Sequence, residues 1–205
     1  RPSAKGRVLF GEQVNGKSAL VPYGRIWRVG ANESTKITFL SDVVIDGQDL
    51  QKGSYALYAF PEEEEWQVIF HKNTTHWGDG RLDYNSQDDA LRIKIIPLKT
   101  LDFQENFLIS FDEITHNEIT MILKWGNTKV SIPIQIDTES IMQAQIEEKL
   151  LNSPTAQTYY EIARYYQEQG ILQVESIGYI NLALNLGGDT YYFHRVRSLL
   201  LADLE

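Results

Sequence analysis

From Lys5 to about Ile136, apolar side chains recur at every second position, and this rhythm decides most of what the chain can fold into. STKITFL sets Ile37 and Phe39 on one side, with Thr35 beside them. LRIKIIP sets Leu91, Ile93 and Ile95 against Arg92 and Lys94, and SYALYAF alternates two sets, Tyr55/Leu57/Ala59 and Ala56/Tyr58/Phe60. WQVIFH follows the acidic turn PEEEE. NFLISF offers Phe107, Ile109 and Phe111; EITMILKW offers Ile119, Met121, Leu123 and Trp125; TKVSIPIQI offers Val130, Ile132, Ile134 and Ile136. In extended backbone successive side chains point to opposite faces, so these runs predict half-buried strands. Short turns such as DG and KG separate them, and WGNT, with residues that accept positive φ, reads as a hairpin. The pattern predicts a mainly β fold, an antiparallel sandwich or jelly-roll-like domain of about eight to ten short strands. Pro133 has no N–H for a ladder, so its strand is expected at an edge or a bulge.

Near Asp137 the period changes. DTESIMQAQIEEKLLN places Ile141, Ala144, Gln145, Glu148 and Leu151 on neighbouring turns of a helix capped at Asp137 or Thr138. SPTAQTYYEIARYYQEQG reads as a second helix with Ser153 as N-cap, Pro154 in the first position and Gly170 as the stop. VESIGYINLALNLGG and DTYYFHRVRSLLLADLE follow. The inner surface of this array is expected to hold Tyr159, Ala163, Tyr166, Ile180 and Leu184. The domain expectation is therefore a β-sandwich over 1–136 and a small antiparallel helical region over 137–205. Tyrosine and alanine at the helix crossings loosely resemble tetratricopeptide hairpins.

Charge and missing residue types exclude several functions. The net charge is −9 and the pI near 5.0, so phosphate backbones and anionic lipid surfaces repel the chain and nucleic acid is not an expected partner. The chain contains no cysteine, which removes disulfides, thiol nucleophiles, zinc–thiolate sites and iron–sulfur clusters. No apolar run is long enough for a transmembrane helix. No signal peptide is visible, and because the chain opens at Arg1 without an initiator Met, a trimmed chain is expected. The Gly-x-Ser-x-Gly nucleophile elbow is absent. GKS at Gly16 to Ser18 lacks the preceding glycine of a phosphate loop, and no pair of carboxylates stands out for glycoside chemistry. No catalytic residue and no cofactor are expected.

The segment VPYGRIWRVGANEST, Val21 to Thr35, fits neither period. Arg25 and Arg28 are forked donors suited to a carboxylate or another polar ligand, and Tyr23 and Trp27 are flat platforms of the kind that contact sugar rings. Asn32 tolerates a turn. The same residues also suit a structural corner, with Trp27 in the core, Arg28 as a strut to loop carbonyls and Asn32 as a cap. Trp77, followed by Gly78 and Gly80, is a second aromatic contact or a lid. His71 and His76 could offer two metal ligands, with Asp79 or Asp83 as a third, but no ligand motif surrounds them and no metal is expected.

Taken together, RPSAKGRVLFGE, LVPYGRIWRVGANESTKITF, KGSYALYAFP with EWQVIFHKN, and NTKVSIPI resemble a bacterial family known as domain of unknown function 2911, from Arg1 to about Ile136. The resemblance implies a β-sandwich and a periplasmic or secreted protein. It also implies a further strand before the Arg-Pro pair, whose absence would leave a sheet edge exposed or differently paired. It implies no activity, substrate or catalytic residue. The expected function is a non-catalytic ligand-binding or scaffold module of the cell envelope. It would grip a carbohydrate or protein partner near Tyr23, Arg25, Trp27, Arg28, Asn32 and Trp77. The alternatives are a hydrolase of envelope or dietary polymers using His76 or a nearby acid, and a helical tail that docks a partner.

Overall fold

Among the described residues there are ten strands, the longer ones on the alternating runs: β1 (Phe10–Gly11), β2 (Val21–Pro22), β3 (Thr35–Phe39), β4 (Val43–Ile45), β5 (Gln48–Leu50), β6 (Gly53–Phe60), β7 (Trp66–His71), β8 (Asp89–Ile95), β9 (Leu98–Asp112) and β10 (Glu118–Gln135). The computed structural model describes residues 2–12, 18–77 and 84–204, which divide into two units, Arg1–Asp137 and Thr138–Glu205.

The first unit is a sandwich. One sheet has the order β5-β4-β10-β9 and the other β3-β6-β7-β8, with antiparallel neighbours throughout. Their inner faces share one core, in which Ile45, Met121, Leu123, Trp125, Val130 and Ile132 meet Leu57, Trp66, Val68, Phe70 and Ile93. Burying each such side chain is worth about 1.5–3 kcal/mol. The second face of β6 and β7 is covered too: Ala56, Tyr58 and Ile69 form a smaller cluster with Ile26, Phe60 and Tyr84 against it. β1 and β2 stand apart as a parallel pair, Phe10 opposite Val21 and Gly11 opposite Pro22. The expected sheet edge is used as well, since Ser3 bridges Asn106 of β9 and Ala4 N–H donates to Glu105 O.

The turn chemistry holds at Asp46-Gly47, where both residues have positive φ and join β4 to β5 through the pair Ile45–Gln48. It fails at WGNT. Trp125, Gly126 and Thr128 lie inside the continuous β10, all buried, and the ladder with β9 shifts register at Gly126. Gly126 takes φ +60° as part of a bulge rather than a hairpin. Asn127 Nδ2 then donates to Thr100 O, which fastens the stretch of β9 that bows out opposite. Pro133 is on an interior strand, but β9 pairing ends at Lys129, so its missing N–H falls where that flank is open.

The second unit comprises α1 (Thr138–Leu151), α2 (Ala156–Gln169), α3 (Gln173–Asn185) and α4 (Tyr191–Ala202). Ala163, Ile180, Ala183, Phe193, Val196 and Leu200 make one core, with Tyr159 and Leu184 at its margin; Ile146, Ile162 and Tyr166 make another. Small side chains let α2 and α3 approach closely, and Ser176 Oγ donates to Ala163 O at 2.8 Å. Two details differ from expectation. The N-cap of α2 is Thr155, not Ser153, because Thr155 and Thr158 satisfy each other's backbone N–H in a capping box. The buried residue of α1 is Ile146, with Leu150 beside it, whereas Leu151 is exposed. Gly170 closes α2 in the left-handed conformation, as read from the sequence. Among the described residues no helix is long and apolar enough to cross a membrane.

Candidate functional site

Trp27 and Thr35 flank one excursion along the same edge of β6. β3 pairs with β6 from Phe39–Gly53 to Thr35–Leu57, and Trp27 takes the next outward position with a reciprocal bridge to Ala59, both bonds 2.8 Å. The loop Arg28–Ser34 bulges out between these anchors. Thr35 ties its base, donating from N–H to Arg28 O at 3.2 Å and from Oγ1 to Val29 O at 2.7 Å. The loop is strained. Val29 is fully buried yet has φ +52°, where a β-branched residue costs on the order of 1–3 kcal/mol. Asn32, at φ +70°, tolerates that region better.

Polar accounting is incomplete in the same loop. Among the described residues, the buried side-chain polar atoms without a hydrogen-bond partner are Arg28 Nε and Ser34 Oγ, one at each end of the excursion. The strut expectation for Arg28 is thereby corrected: its Nε meets no loop carbonyl.

Beside the loop lies a cleft of about 280 Å³, lined by Ser18, Ala19, Leu20, Val21, Pro22 and the stretch Arg25–Arg28. The parallel pair β1–β2 builds one wall, held by Leu20 N–H to Val8 O and Val21 N–H to Leu9 O. Among the described residues the polar side chains of the lining are Ser18 and the two arginines, and no acid lines it. Trp27 borders the cleft but offers no platform, because its ring is spent on the core. It is 6% exposed, stacks on Trp125 at 6.2 Å and meets Phe107, Phe10 and Trp66 edge-on. Its Nε1 donates to Gly30 O at 3.3 Å, fixing the loop from beneath.

The remaining residues singled out in the sequence fall around this cleft rather than in it. Tyr23 is half-buried. Burial raises its phenol pKa, and Glu63 and Glu62 on the β6–β7 tip push the same way. Asn32 is exposed on the excursion. Trp77 is 67% exposed, and its backbone bridges Glu33, which brings the connection after β7 against the excursion. Gly78, Asp79, Gly80 and Asp83, like Gly16 and Lys17 of GKS, lie outside the described residues.

A second polar group occupies the outer face of β6 and β7. His71 is fully buried, with Nε2 donating to Asn85 O and Nδ1 against the Asn73 N–H, each at 3.1 Å. Tyr58 Oη is hydrogen-bonded to His76 Nδ1 at 3.1 Å. Tyr84 donates to Asp89, and Arg92 donates to both of them. Burial first, and the Asp89 carboxylate second, raise the Tyr84 phenol well above its ordinary pKa. These contacts hold Asn73, His76, Tyr84 and Asn85 against the sheet. Among the described residues no three His, Cys, Asp or Glu groups converge in a way that could hold a metal ion.

Sequence reading missed the Ser18–Leu20 wall, because a non-local parallel pairing brings it to Arg25 and Arg28. A signal for the outer-face group was present in SYALYAF, whose second set, Ala56/Tyr58/Phe60, is as apolar as the first. No curated protein and no solved structure matches the chain. Residues 1–134 match the family model described as Protein of unknown function (DUF2911), and the chain belongs to that family.

Proposed function

We propose that this is a non-catalytic ligand-binding module of the cell envelope or secreted space, which grips its partner in the Ser18–Arg28 cleft beside the Arg28–Ser34 loop. One observation carries the reading: among the described residues the unsatisfied buried side-chain polar atoms, Arg28 Nε and Ser34 Oγ, both fall in this strained loop. An unmet buried donor costs about 1–3 kcal/mol, and an acceptor on a ligand recovers that cost once the guanidinium turns to meet it. Strain and unmet polar groups gathered in one loop are what a site prepared for a partner would show. A hydrolase needs titratable groups converging on the bound substrate. The polar lining here is two arginines and a serine, which suits holding rather than cleaving. The exported location rests on the family resemblance.

The test is calorimetric titration of the full chain against a panel of oligosaccharides and peptides, with thermal melts of Arg28→Ala. Removing an unmet group leaves stability within about 1 kcal/mol of wild type. Binding by the variant is expected to weaken by about tenfold or more. A variant that unfolds, together with a wild type that titrates nothing, would make the loop a scaffold corner.

A further inference from the structure

The lining of the cleft reverses the charge of the chain around it. The protein carries 28 acidic residues against 19 lysines and arginines, yet among the described residues the Ser18–Arg28 lining holds Arg25, Arg28 and no carboxylate. Acids stand near without lining it: Glu33 reaches Lys36 at 3.3 Å, and Glu62 Oε1 lies where a Cβ at Gly24 would meet it at 3.2 Å. Neither arginine of the cleft has an ion pair among the described residues. A guanidinium is shaped for a carboxylate, and two that make no ion pair among the described residues around one concavity suit an anion.

Resting on the binding-module reading, we propose that the ligand is an acidic saccharide, with the carboxylate of a uronate ring held between Arg25 and Arg28. A planar guanidinium matches a carboxylate with two parallel N–H donors, and it does so best where water is partly excluded, as at the half-buried Arg28. The size agrees: about 280 Å³ admits one sugar ring with its substituents but not a folded segment. The rest of the lining is Leu20, Val21, Pro22 and Ile26, an apolar wall for the C–H face of a ring. Ser18 supplies a hydroxyl for the ring's own hydroxyls. Trp77, exposed and bridged to Glu33 beside the same loop, is placed to meet a neighbouring ring of the chain.

The experiment uses the full chain and two matched probes, an oligogalacturonate and the neutral galactose oligomer of equal length, titrated calorimetrically at low and high salt. The oligogalacturonate is expected to bind about 10- to 100-fold tighter than the neutral oligomer, and to weaken as salt screens the charges. Arg25→Gln, an exposed substitution that leaves the core untouched, is expected to erase most of that preference. Arg28→Lys, which keeps the charge but loses the fork, is expected to reduce it. Equal binding of both probes, insensitive to salt, overturns the acidic-saccharide inference while the binding-module reading stands. Binding of neither saccharide alongside an acidic peptide that titrates overturns the saccharide and moves the site to a protein partner. Silence from all three probes overturns both readings.

Discussion

Replacing Trp27 with alanine separates the two jobs of its segment, because Trp27 belongs to the core while its neighbours face the cleft. Its ring is 6% exposed and touches Phe10, Trp66, Phe107 and Trp125 at centroid distances of 5.9, 6.1, 5.0 and 6.2 Å. Truncating a buried tryptophan costs about 3–5 kcal/mol, the spread reflecting how far the cavity can collapse. Collapse here is limited, since two of the four neighbours are themselves rigid indoles at the meeting of both sheets. The hydrogen bond to Gly30 O is long at 3.3 Å, and Gly30 is half-buried, so its loss adds less than a full bond. The upper half of the range is the expectation, about 4–5 kcal/mol. For a unit of this size that lowers the melting temperature by about 10–20 °C. Circular dichroism melts and urea titrations measure it, with Trp77→Ala, whose side chain is 67% exposed, as the control expected to stay within about 0.5 kcal/mol. A Trp27→Ala protein as stable as wild type, or a Trp77→Ala protein equally damaged, would refute the assignment of Trp27 to the core.

Three further outcomes follow from the same geometry. Gly126→Ala puts a Cβ 2.6 Å from Leu9 Cδ1 at a residue with φ +60°, and it should cost about 2–4 kcal/mol in the urea midpoint; a neutral result would deny the bulge. His71→Leu keeps the volume but drops the bonds to Asn73 and Asn85, so a loss of about 1–3 kcal/mol and faster amide exchange over Asn73–Trp77 are expected. Tyr84 has its phenol pKa raised by burial, so the folded state keeps a proton that the unfolded chain loses above about pH 10. Its stabilisation is present below that pH and is lost as pH rises further. Tyr84→Phe should therefore cost about 0.5–1.5 kcal/mol at neutral pH and flatten the alkaline fall in stability, which urea midpoints across pH would show.

The period-two runs made the sandwich legible because strand side chains alternate by covalent geometry, and Asp46-Gly47 and Gly170 were legible because positive φ has few occupants. WGNT misled for the same reason: a glycine with positive φ serves a bulge as well as a hairpin, and only the partner strand decides which. Thr155 displaced Ser153 as a cap because its reciprocal partner, Thr158, sits at the right spacing. In the candidate site the residue types were readable, but their directions were not. Trp27 turned inward through its bridge to Ala59, a contact distant in sequence. The wall opposite Arg25 and Arg28 arrived through the shorter-range pairing of Phe10 with Val21. Nothing local in the sequence marks Val29 as strained, since valine at φ +52° is what local preference argues against.

The central claim is that a ligand enters the Ser18–Arg28 cleft, and an amide chemical-shift map of the full chain during titration with oligogalacturonate tests it most directly. The largest shifts are expected to cluster on Ser18–Leu20, Arg25–Arg28 and the excursion to Ser34, together with the Trp77 indole, and Arg25→Gln is expected to suppress them. Shifts gathered instead at the cleft between Ile45–Gly47 and Ile93–Ile96, or along α2 and α4, would contradict it and place binding elsewhere on the protein.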